Sequence, residues 1–176
     1  MSEQALQVGL RPVLFNARPH DPPQKVRFID DHWVHLRDGL ASVEAIEQRL
    51  YLAIALRNVA SGMAIVHGWD LAFERAAPVS PIERFRRNTR DLYVPAGDNG
   101  FWQAAIRDPG DELHGRLAQT IAERRQISVD ILYGDHEGGQ RTVTRFALLP
   151  RDGEDDRQLW SCSVSRHWNL DRADPR

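Results

Sequence analysis

The sequence predicts a mostly β chain: an antiparallel sandwich or barrel with a helical insertion between about 80 and 125. Three observations carry this reading. Short runs in which apolar residues alternate with a period of two recur in both the first and the last third of the chain. Turn segments bearing Gly, Pro, Asn and Asp separate those runs at hairpin-like distances, which favours strands in antiparallel succession over a βαβ fold. Between Pro78 and Arg125 the pattern changes to helical spacing with helix-start chemistry.

The elements follow in order. Val8–Phe15 reads as a first strand, kept at an edge because Pro12 has no N–H to donate. Pro19, Pro22 and Pro23 make Asn16–Gln24 a loop. Val26–Phe28 and Trp33–Leu36 are short strands on either side of Asp30-Asp31, and Arg37-Asp38-Gly39 is a turn. Arg49–Asn58 is the clearest strand: Leu50, Leu52, Ile54 and Leu56 share one parity, and Tyr51, Ala53, Ala55 and Arg57 the other. A turn at Ala60–Gly62 leads into Met63–Leu71, where Met63, Ile65, His67, Trp69 and Leu71 are expected on one face. In the middle, Ser80 as N-cap, Pro81 at the first position and Glu83 three residues after the cap predict a helix start. That helix would carry Arg84, Arg86, Arg87 and Arg90. Pro95–Gly100 is a loop, and Phe101-Trp102 open a short turn or helix ending before Pro109. Leu113–Arg125 is a helix, with Leu113, Leu117 and Ile121 as its apolar stripe. Ile127–Tyr133, Arg141–Leu149 and Gln158–Trp168 return to strand. Gly134–Gly139 and Pro150–Arg157 are the loops between them. Trp160, Cys162, Val164 and Trp168 are expected on one face of the last strand. The tail from Asp171 to Arg176 is expected to fray.

Composition bounds the function classes. The chain has 176 residues, 41% apolar and 27% charged, enough for one packed domain spanning 1–176. Its 23 basic residues against 25 acidic ones give a formal net charge of -2, which excludes a strongly basic nucleic-acid binder. The basic side is lopsided, because Lys25 is the only lysine and the rest are arginines. The one cysteine, Cys162, excludes a disulfide framework and a multi-cysteine zinc site, and its place on an apolar parity predicts a small buried hydrophobe. Met1–Leu10 lacks the basic and apolar regions of a signal peptide, and no stretch reaches the ~20 apolar residues of a membrane helix. No membrane-spanning segment and a cytoplasmic location are therefore expected.

No catalytic residue, metal or cofactor is expected. A G-x-S-x-G elbow, an H-E-x-x-H motif and a glycine-rich phosphate loop are all missing. Asp135-His136-Glu137 are metal-capable in kind, but neighbours in a tight turn splay apart. His32 and His35 face opposite sides of a strand. The residues with binding chemistry are the arginines of the middle, since Arg86 and Arg90 would lie one helical turn apart and Glu83 could pair with Arg87. His67, Trp69 and Trp168 join them as amphipathic groups common at binding hot spots, with Asp135, His136 and Arg141 around the Gly134–Gly139 turn.

Leu56-Arg57-Asn58-Val59-Ala60-Ser61-Gly62, together with Leu132-Tyr133-Gly134-Asp135 and the Thr-bearing strand after it, resembles a loose set of bacterial proteins with immunoglobulin-like β-sandwich domains. Some of that set carry membrane helices ahead of the domain. The match departs at Ala60, where the pattern has Gly. The resemblance implies an immunoglobulin-like sandwich and brings no known activity. The residues themselves give Asn58 a structural role, its side chain fixing the turn with Gly62. The expected function is a non-enzymatic interaction module that binds another protein. The alternative is a small-molecule-binding or hydrolytic domain whose site gathers Trp, His and Asp near the helical insertion.

Overall fold

The computed structural model describes residues 11–74, 76–153 and 158–172. Among them the chain forms β1 (Leu14–Asn16), β2 (Gln24–Arg27), β3 (Trp33–Leu36), β4 (Leu40–Ile46), β5 (Arg49–Asn58), β6 (Ala64–Ala72), β7 (Arg86–Val94), β8 (Asn99–Ile106), α1 (His114–Ala122), β9 (Ile127–Gly134), β10 (Thr142–Asp152) and β11 (Gln158–Asn169). The main sheet runs β1-β5-β4-β11-β10-β9-β6-β7, with β8 on the other edge of β5, and every pairing in it is antiparallel. It curls into a half-barrel, and β2 and β3 form a separate hairpin.

The alternation in β5 explains its central place. Leu50, Leu52, Ile54 and Leu56 point into the main core with Trp102, Trp160, Ile131, Tyr133 and Phe146. Burying each of these aliphatic side chains contributes roughly 1.5–3 kcal/mol. The opposite parity, Tyr51, Ala53 and Ala55, packs with Val26, Phe28, Val34 and Leu36, so the β2–β3 hairpin covers the outside of β5. A strand apolar on both parities is thus buried on both faces. Asn58 closes the end of β5: its side-chain amide donates to the carbonyls of Gly62 (2.7 Å) and Val94 (3.0 Å), and its oxygen accepts from the Ala60 N–H (3.1 Å).

Several expectations are corrected. The region 78–125 is not a helical insertion. Ser80-Pro81 opens only a single 3₁₀ turn, Ile82–Arg84, and the chain then extends into β7 and β8. Ser80 does not cap this turn; its hydroxyl bonds Asp130 instead (3.0 Å). Arg84, Arg86, Arg87 and Arg90 therefore share no helix face. Phe101-Trp102 belong to β8, whose Trp102, Ala104 and Ile106 alternate into the core. Only α1 is helical, held by buried Leu117 and Ile121. Leu40–Ile46 is a strand that the turn pattern alone did not suggest.

Two bulges break the expected parities. In β6 the register slips at His67, so Ala64 and Val66 point inward before it and Trp69 and Leu71 after it. In β11 it slips at Ser165, which sends Trp168 to the outer face, away from Trp160 and Cys162. An extra residue on one strand reverses every later side chain. Val8–Leu10 of the first strand, 154–157 of the last loop and 173–176 of the tail lie outside the described residues. Among the described residues no helix is long and apolar enough to cross a membrane.

Candidate functional site

The His67 bulge builds the candidate site. Opposite it, the β6–β7 ladder steps from Val66–Leu92 to Gly68–Arg87, so Asn88, Thr89, Arg90 and Asp91 stand against one residue. The bulge so formed within β7 is tied by the Asn88 amide donating to the Val66 carbonyl (3.0 Å). Gly68 permits the close approach, since a Cβ there would sit 2.5 Å from the Arg86 carbonyl oxygen. Between the bulged β7 and the outer face of β6 and β9 lies an open groove of about 530 Å³. His67, Gly68 and Leu132 line its floor, Arg86, Arg87, Asn88 and Asp91 one wall, and Ile82, Phe85 and Arg141 the rest.

Its arginines differ in commitment. Arg86 is held by a bidentate pair to Asp111 (2.6 and 2.7 Å) and lies over the Trp69 ring (5.6 Å). That guanidinium lowers the Asp111 carboxyl pKa to about 2. Arg87 and Arg141 form no ion pair among the described residues; Arg141 reaches only the Gly138 carbonyl, at 3.4 Å. The groove therefore presents two uncommitted guanidinium groups and one lining carboxylate, Asp91. Burial, and next the Arg141 charge, push the His67 pKa below its usual value, so its imidazole is neutral near pH 7. A neutral imidazole and two free guanidinium forks suit carboxylate recognition.

Of the residues expected from sequence, the groove brings together His67, Arg86, Arg87 and Arg141. Trp69 lies behind it, buried and edge-on to Trp102 (5.7 Å). Arg90 stands on the far side of the bulge, bonded to Gln103 (2.9 Å) and over Phe101. Arg84, in the single 3₁₀ turn before β7, lies 3.6 Å from Asp70. Asp135 caps its own turn by accepting the Glu137 and Gly139 N–H groups, and His136 is exposed beside Glu137. Trp168 packs with Leu132 and Val143 on the outer face, between the guanidinium groups of Arg145 and Arg166.

A buried polar row was not foreseen. Asp70 and Asp130 face each other across β6 and β9, and Asp130 is 0% exposed. Arg145 engages both Asp130 oxygens (2.6 and 2.8 Å) and donates to the Ala77 and Pro78 carbonyls (2.5 and 3.1 Å). Through Arg145 and the Ser80–Asp130 bond this ion pair holds the strap 77–85, whose Ile82 and Phe85 line part of the groove. The visible signal was a single carboxylate in β9 and in β6, Asp130 and Asp70, among largely apolar neighbours. No family model, curated protein or solved structure matches the chain.

Proposed function

We propose that this protein is a non-enzymatic interaction module that binds an acidic segment of a partner protein. The observation that supports it is the pair Arg87 and Arg141, unpaired with any described carboxylate, on one open groove beside neutral His67. Arginine forks grip carboxylates bidentately, and Ile82 (44% exposed) and half-buried Phe85 offer apolar contact beside them. The sequence expectations of a cytoplasmic location and of kinship with immunoglobulin-like bacterial domains belong to the same proposal.

An array of octapeptides graded from neutral to Glu- and Asp-rich, read by fluorescence anisotropy at two salt concentrations, tests the reading. Affinity that rises with acidic content and falls with salt is expected. Flat binding across the array would refute it. The concave shape of the groove favours a second reading, a small anionic ligand; a free dicarboxylate that stabilises the fold in a thermal-shift assay where the acidic peptides do not would select it.

A further inference from the structure

The sheet does not close. β7 and β8 follow each other in the chain, yet among the described residues no backbone hydrogen bond joins them, and each is paired on one side only. Near the connecting loop they touch, with a Cβ at Gly100 falling 3.0 Å from the Val94 side chain. Away from it they part, and the bridge is between side chains, Arg90 to Gln103.

The two edges are unlike. β7 is blunted by its bulge and its arginines, as sheet edges commonly are. β8 pairs with β5 over Asn99–Ile106 without a slip and contains no charge, proline or bulge, so it keeps none of those protections. A free, regular edge is a template for an added strand. Arginines line its two clefts, of about 200 and 270 Å³: Arg27, Arg86 and Arg107 are paired with Asp31, Asp111 and Asp30, whereas Arg87 and Arg90 have no carboxylate partner among the described residues. Ile29, 79% exposed, overhangs it from the β2–β3 turn. Arg86 and Arg87 border both seam and groove.

We infer that the acidic segment bound at the groove continues over Arg87 into the seam and pairs by its backbone with the free edge of β8. The inference rests on the proposed function and adds the mode of binding. Acidic side chains meet Arg87 and Arg90, and an apolar side chain of the segment packs on Ile29.

The test uses the full chain and a twelve-residue peptide of alternating Glu and Val, with hydrogen exchange read at the amides of β8. Binding should slow exchange at alternate amides within Phe101–Ala105 at least tenfold. A peptide of the same charge, N-methylated at alternate residues, should bind at least tenfold more weakly, as should the peptide to Arg90→Glu. Arg141-dependent binding without β8 protection, or undiminished binding of the N-methylated peptide, overturns strand addition and leaves the groove reading standing. Protection of β8 that persists undiminished in Arg141→Glu overturns the groove reading instead. Absence of binding overturns both.

Discussion

Arg145 and Arg141 stand four residues apart in one stretch of chain and do opposite things. Arg145 is buried beneath the strap, bound through Nε and Nη2 to Asp130 and through Nη1 and Nη2 to two carbonyls. Arg141, at the mouth of the groove, has no described carboxylate partner. A buried guanidinium must be fully matched, because leaving it unpaired costs several kcal/mol. A solvated one need not be, and an unmatched one is available to something else. In a chain with 22 arginines among 23 basic residues, residue type therefore says little about role; the partner set decides it.

The contrast can be broken most severely at Asp130. Asp130→Ala leaves Arg145 buried without its counter-charge and should cost about 3–5 kcal/mol, read from urea unfolding. A cost below ~1 kcal/mol would mean that the pair does not hold the strap. Gly68→Ala comes next. Its Cβ would overlap the Arg86 carbonyl, and overpacking of this kind costs about 1–3 kcal/mol, seen as a lower Tm, with the β7 bulge displaced. Arg86→Ala should cost about 1 kcal/mol or less, because the Asp111 pair is partly exposed. Its signature is in pH. Asp111 titrates at about 2 in the folded chain against an ordinary 3.8, so the pair contributes stability above that ordinary value and loses it as pH falls toward 2. In Arg86→Ala that acid decline should be shallower; an unchanged profile would contradict the assignment.

The same contrast shows what was legible in the sequence. β5 and β9 were readable because their alternation spans the whole strand without interruption. The turn at Asn58 was readable because Asn and Gly have few other uses at such spacing. The middle was misread because helix-start chemistry at Ser80-Pro81 is local, whereas β7 exists through pairing with β6. In β8, two alanines and one tryptophan carry too weak an alternation to outweigh helix propensity. The faces of Trp168 and His67 were unreadable because a bulge leaves no mark in composition, yet it reverses everything beyond it. Four groove residues were still named in advance, by chemical type alone. Arg84 and Arg90 belonged to a helix that does not form. The Asp130–Arg145 pair escaped notice because its partners come from separate strands.

The smallest effect on the fold should accompany the largest effect on binding. Arg87→Glu with Arg141→Glu removes only uncommitted charges and should leave stability within about 0.5 kcal/mol of the parent chain. Titration of the best acidic peptide onto parent and double variant, with unfolding followed in parallel, tests this account most directly. The account predicts at least a tenfold loss of affinity in an equally stable protein. Equal affinity in the two proteins, or a loss that merely follows unfolding, would contradict it.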